Sequence, residues 1–265
     1  MSSPVEVDIA AAGEAGFDGV ELWWTKVRTY LETHAVEQLR ELMAKYRVTP
    51  VGVCAGKISP FRDTEARRAQ FAEAVRVTAA LDAKRFAVTC DGQPARLSQA
   101  DAMAALADEL AHYARIAGDH GVQICLEAVG RHSLVDGPAQ CIELIEAIGA
   151  PAHVGLVMDT FHYFKSRVPL EQIRQIPRDR LLLIHINDTE DQPLDELTDA
   201  HRNFPGLGVI PLEAQLGAAL ATGYDGALSL ETFRPDYWQR PADEVAVEAL
   251  AACRNLLTRL DLPHR

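Results

Sequence analysis

Residues 122–186 read VQICLEAVGRHSLVDGPAQCIELIEAIGAPAHVGLVMDTFHYFKSRVPLEQIRQIPRDRLLLIHI, with three short apolar runs set between longer amphipathic segments. The runs are Val122 to Leu126, Val154 to Met158 and Leu181 to Ile186. Each is almost continuously apolar, as in a parallel strand covered on both faces. Working outward, the same signature recurs at Gly19 to Trp23, Val48 to Val53, Arg85 to Thr89 and Ala227 to Leu230. The intervening segments carry a helical period. Ser98 to His120 places Met103, Leu106, Leu110, Tyr113 and Ile116 at three- and four-residue steps, and Ser98 with Asp101 resembles a capping box. Thr64 to Leu81 and Asp243 to Leu260 read alike, the second opened by Pro241. Gly16 and Gly121 stand where a helix should stop before the next strand.

Repeated strand–helix units predict an α/β fold, either a TIM-type (β/α)8 barrel or an open doubly wound sheet. No GxGxxG or P-loop follows an early strand, which argues against the open nucleotide-binding sheet. The expectation is therefore one barrel domain over residues 1–265, a length that matches the roughly 250 residues of such barrels. Seven strands are legible, not eight. The chain opens almost at once on a helical segment, Val5 to Ala15, so the first strand is expected to be missing or truncated.

Composition narrows the function classes. Apolar residues make up 48% and charged residues 24%, ordinary for a globular chain able to bury a large core. A net charge of −12 repels phosphate backbones, so nucleic acid is not an expected partner. Cys54, Cys90, Cys125, Cys141 and Cys253 are dispersed with no CxxC pair, which reads as reduced thiols in a cytoplasmic protein. No signal peptide is evident, and no run approaches the roughly 18 apolar residues of a membrane span. The expected partner is a small molecule; homo-oligomerisation stays open.

Four ionisable residues end successive apolar runs: Glu127 in ICLEAVG, Asp159 in GLVMDTFH, His185 in LLLIHIND and Glu231 in LSLETF. Barrel enzymes build their sites at these C-terminal strand ends. The separations of 32, 26 and 46 residues correspond to about one strand–helix unit each, once a long connection after His185 is allowed for. Three clustered carboxylates would repel one another, so a cation is needed to keep them ionised. Three oxygens and one nitrogen suit one divalent ion, Mn²⁺, Zn²⁺, Mg²⁺ or Co²⁺. Taken singly, each carboxylate can instead be a helix cap or an ion-pair member. The long connection, NDTEDQPLDELTDAHRNFPGLGVI over 187–210, is polar and turn-rich, and ordered loops of this length usually carry function.

GFDGVELW, LEAVG, GLVMDTFHYF, the long connection and LSLETFRPDYW together resemble the xylose-isomerase-like superfamily of sugar isomerases and epimerases. Within it they most resemble the inosose (2-keto-myo-inositol) isomerases of inositol catabolism. The resemblance implies that Glu127, Asp159, His185 and Glu231 ligate the metal and that His162 and Arg202 contact substrate oxygens. Read from the residues alone, His162 can equally satisfy loop backbone groups, and Arg202 can pair at the surface with Asp199 or Glu196. Arg234, Tyr237 and Trp238 are candidates for the pocket wall, although Trp238 suits lid packing equally well. One of Trp23 and Trp24 should be core, and Cys90 reads as structural. Ketose 3-epimerases of the superfamily carry a further glutamate where this chain has AVGRHSL, with Ser133, which argues against that branch.

The chemistry implied is isomerisation of a keto-polyol by proton transfer through a metal-stabilised enediolate, with Glu127 and Glu231 as acid–base candidates. Besides a ketose epimerase, two further alternatives share the fold. One is a dehydratase of the 3-dehydroshikimate or inosose type, in which the same enolate expels a hydroxyl. The other is an idle sugar-binding barrel, which would lack one of the four ligands.

Overall fold

A computed structural model describes residues 3–130 and 133–262. The strands are β1 (Gly19–Trp23), β2 (Thr49–Ile58), β3 (Arg85–Cys90), β4 (Gln123–Glu127), β5 (Val154–Asp159), β6 (Leu181–Ile186), β7 (Asp188–Thr189), β8 (Arg202–Asn203) and β9 (Leu228–Leu230). The helices are α1 (Val5–Ala15), α2 (Trp24–Leu31), α3 (Val36–Tyr46), α4 (Thr64–Ala80), α5 (Gln99–Asp119), α6 (Pro138–Ala147), α7 (Thr160–Lys165), α8 (Leu170–Arg174), α9 (Leu212–Leu220), α10 (Pro235–Trp238) and α11 (Ala242–Arg259). Seven strands form one parallel sheet in the order β1-β2-β3-β4-β5-β6-β9 and curl into a TIM barrel.

All seven apolar runs form strands, but several run further than apolarity suggested. β2 continues to Ile58, and β3, β4 and β5 take in Cys90, Glu127 and Asp159. A strand-end polar residue keeps its backbone in the ladder while its side chain faces the mouth. Ser98 caps α5 as expected, its Oγ accepting from the Asp101 amide at 3.1 Å. Gly16 closes α1 at φ 100°, a left-handed conformation that favours glycine.

The barrel is not sealed by backbone. Among the described residues β1 pairs with β2 and β9 with β6, and no ladder joins β1 to β9. A cavity of about 830 Å³ lies along this seam, lined in part by Val20, Val51, Tyr224, Leu228 and Leu257. β1 and β9 are thus the two edges of the sheet.

Two apolar layers hold the fold. Between sheet and helices lie fully buried Ile9, Leu39, Leu106, Leu110, Tyr113, Ile124, Leu156, Ile184 and Leu256. Inside the barrel, β2 to β6 each contribute one residue to a small cluster: Cys54, Ala87, Cys125, Val157 and Leu183. Strand side chains alternate faces, so the next inward residue on β4, β5 and β6 is Glu127, Asp159 and His185. Trp24 joins the outer core, while Trp23 packs beside the inner cluster and meets Phe233 edge-on at 5.2 Å. Burial pushes the Cys90 thiol up to about 12, consistent with a structural role. No helix among the described residues is long and apolar enough to cross a membrane.

The long connection is ordered by one carboxylate. Asp188 accepts backbone N–H bonds from Thr189 (2.9 Å), Gly206 (2.9 Å), Gly208 (3.0 Å) and Ile210 (2.9 Å). A Cβ at Gly208 would collide with the Thr189 carbonyl and the Asp188 carboxylate. β7 and β8 pair antiparallel beside this hub and carry Arg202 inward. Asp188→Ala would orphan the buried Thr189 and Ile210 donors at about 1–3 kcal/mol each and release the exposed Gly206 and Gly208 amides to water. The expected outcome is faster proteolytic cleavage within 190–207 and a lower thermal midpoint; wild-type cleavage rates would show that the hub is dispensable.

Candidate metal centre

The site forms where four strands end. Asp159 and His185 are direct register partners across β5 and β6. Glu127 lies level with Val157, two residues short of Asp159, and His185 lies level with Ser229, two residues short of Glu231. Each step of two keeps the same inward face while following the stagger of tilted barrel strands. Residues ending separate strands thus reach one point.

One donor atom from each of Glu127, Asp159, His185 and Glu231 lies within 4.8 Å of all the others. His185 Nδ1 sits 3.4 Å from Glu127 Oε1, 3.5 Å from Glu231 Oε2 and 3.9 Å from Asp159 Oδ2. Ligand atoms on one ion, with bonds of about 2.0–2.2 Å, lie at most about 4.4 Å apart. A contraction of a few tenths of an ångström would therefore suffice, and the donor set fits a divalent ion. Asp159 and His185 side chains are fully buried, whereas Glu127 is 10% and Glu231 17% exposed, so only the glutamates reach the mouth.

Asp159 serves two purposes at once. Oδ1 caps α7 by accepting from the His162 amide at 2.8 Å, the helix-cap role weighed above. Oδ2 faces the centre, accepting from Asn187 Nδ2 at 2.9 Å and Arg202 Nη1 at 2.9 Å. Burial by itself would raise its pKa, yet Arg202, His162 and His185 together hold it down to about 2. Glu127 goes the other way: burial and the Glu231 charge push its carboxyl up. Burial also acts to raise Glu231, but His185 and Arg202 bring it below the ordinary range. For His185 burial opposes the charge, and Glu21 and Glu231 outweigh it, so its pKa is raised.

Arg202 is not at the surface. It is 1% exposed, and Nη1 bridges Asp159 Oδ2 (2.9 Å) and Glu231 Oε2 (3.0 Å). The Asp199 pair weighed in the sequence exists as well, at 2.8 Å from Nη2, and Phe161 and Phe233 lie 4.8 and 5.4 Å from the guanidinium carbon. His162 is also buried, its Nε2 3.1 Å from Arg202 Nη2 and 4.0 Å from Glu127 Oε1, while its Nδ1 has no hydrogen-bond partner among the described residues. Arg234 and Tyr237, candidates for the pocket wall, brace the long connection. Arg234 Nη1 meets Asn203 Oδ1 at 2.8 Å and Glu190 Oε1 at 2.7 Å, and Tyr237 stacks on Phe204 at 4.2 Å. In AVGRHSL, Arg131 and His132 lie outside the described residues. The Ser133 hydroxyl donates to the Val129 and Val135 carbonyls.

One residue escaped the sequence reading. Glu21, in the middle of β1, accepts from Ser229 Oγ at 2.8 Å and lies 2.9 Å from His185 Nε2. The available signal was a carboxylate inside the five-residue apolar strand GVELW, a place where an unpaired charge is costly.

Comparison with known proteins agrees with this architecture. The chain is 29% identical over 92% of its length to an inosose isomerase of Bacillus velezensis, of which it spans 88%. It is 30% identical over 94% of its length to a 3-dehydroshikimate dehydratase of Pseudomonas putida, of which it spans 39%. A crystal structure of the IOLI protein with a zinc atom bound superposes with a TM-score of 0.89 at 26% identity, covering 97% of this chain and 94% of that one. Residues 9–256 match the family model described as xylose isomerase-like TIM barrel. The chain belongs to the xylose isomerase-like TIM barrel family.

Proposed function

We propose that the protein is a metal-dependent isomerase of a keto-polyol, with 2-keto-myo-inositol as substrate. Glu127, Asp159, His185 and Glu231 would hold one divalent ion, Zn²⁺, Mn²⁺, Mg²⁺ or Co²⁺. The carrying observation is the convergence of four donors within 4.8 Å, of which only the two glutamates are open to the mouth. The similarity to inosose isomerases supports the substrate class, and the zinc in a superposable relative supports the ion.

When bound, the dication supplies a Lewis acid for the substrate carbonyl and its neighbouring hydroxyl. The chain's own residues do the rest. Glu231 removes the proton from the carbon next to the carbonyl, and Glu127, across the site, returns or relays one. Arg202 is clamped by Asp159, Glu231, Asp199 and His162, so a substrate oxygen would replace one of these partners on a guanidinium already held in place, without ordering a mobile side chain. His162, beside it, offers a second polar contact.

The test is metal-stripped and metal-reconstituted protein incubated with inososes, ketoses and 3-dehydroshikimate, read by mass and NMR. The expected result is conversion of an inosose at constant mass, lost on chelation and regained with the ion. Product lighter by one water would instead favour the dehydratase reading, which the Pseudomonas putida relative supports. No turnover of any of these by metal-loaded protein would overturn both.

A further inference from the structure

We infer that Glu21 is a positioning residue for the metal centre, holding His185 with its Nδ1 lone pair turned toward the three carboxylates. The inference rests on the metal reading above, not on the choice of substrate. A neutral imidazole ligates through one nitrogen only when the other carries the proton, and an acceptor on the far side decides which nitrogen that is. His185 has its two nitrogens in different surroundings. Nδ1 faces Glu127, Glu231 and Asp159 at 3.4 to 3.9 Å, while Nε2 lies 2.9 Å from Glu21 Oε2. Glu21 therefore selects the tautomer protonated on Nε2 and blocks a ring flip that would withdraw Nδ1.

Packing alone does not account for Glu21. Its side chain is 6% exposed, and its second oxygen, Oε1, is buried with no hydrogen-bond partner among the described residues. A half-satisfied buried carboxylate is a poor stabiliser, and apolar residues of similar volume usually do as well or better. Glu21 also spans the open seam, since it joins β1 to Ser229 on β9, where the described residues form no backbone ladder. A pure seam tie would depend on Ser229; a positioning role depends on His185. The two are separable.

The test measures Zn²⁺ affinity of metal-free protein by competition with a chromophoric chelator, alongside the thermal midpoint. Wild type, Glu21→Leu, Glu21→Gln and Ser229→Ala are compared. Loss of such an outer partner typically weakens metal binding by about 10–100-fold. Glu21→Leu is expected near the upper end. Glu21→Gln, which keeps an acceptor for Nε2 but not the charge, is expected to be about tenfold weaker than wild type, a partial rescue. Ser229→Ala should stay within about threefold. Glu21 variants that bind Zn²⁺ like wild type overturn the inference, as does an equal loss in Ser229→Ala. If Glu21→Leu does not fold, Glu21→Gln decides alone: weaker binding at an unchanged midpoint supports the role, and unchanged binding ends it. Failure of wild type itself to bind Zn²⁺, Mn²⁺, Mg²⁺ or Co²⁺ would instead remove the metal reading, and the inference with it.

Discussion

Glu231→Gln is expected to abolish solvent-deuterium incorporation into the substrate while leaving a folded, metal-binding protein. The amide keeps the size and an oxygen for the ion but cannot take a proton. General acid–base groups contribute about 10²–10⁴-fold, so turnover should fall by that order. Glu231 is the most exposed of the four donors, the position a base needs to touch substrate carbon. Metal content must be measured on the same sample, because a variant that has merely lost its ion would be equally inactive. Retained metal with vanished exchange assigns the proton transfer to Glu231. Undiminished exchange would take Glu231 out of the acid–base pair and leave Glu127 as the base.

Arg202→Met should produce the largest stability change, and it should depend on metal. Arg202 is the buried guanidinium that touches both Asp159 and Glu231. Removing one member of such a buried set costs about 3–5 kcal/mol, because the remaining charges stay desolvated and unpaired. A dication restores positive charge at the same point, so added metal should stabilise the variant more than wild type. The pH dependence follows from Asp159. Its pKa is about 2, below the ordinary carboxylate value, so it contributes stability that is present above the unfolded pKa and lost as pH falls toward 2. Without Arg202 burial prevails and the Asp159 pKa rises, so acid unfolding of metal-free protein should begin at a higher pH. Urea unfolding with and without ion, repeated between about pH 3 and 7, measures both effects. Equal stability of variant and wild type would show that the guanidinium does not neutralise the centre.

The barrel was legible because its signals are local. A continuous apolar run such as VGLVM needs two covered faces wherever it sits, and the polar residue that ends it, Asp159, must turn toward the mouth. The same reasoning located Glu127, His185 and Glu231 at neighbouring strand ends. Strand limits were less legible: β2 runs past Val53 to Ile58, because pairing to β3 continues after the apolar run has ended. Arg202 was visible as a candidate, but its burial was not. A polar loop gives no local sign that Asp188 will fold it back and drive a guanidinium between two carboxylates.

The sequence by itself determined the strand–helix alternation, the seven legible strands, and the ionisable residue that ends each of four of them, since all three follow from patterns over a few residues. Only the tertiary structure decided the partners: Glu21 against His185 across 164 residues, and Arg202 against Asp159 across 43. The physical reason is barrel tilt and stagger. Those fix which strand ends come level, and they arise from the closure of the whole sheet, not from any single segment of chain.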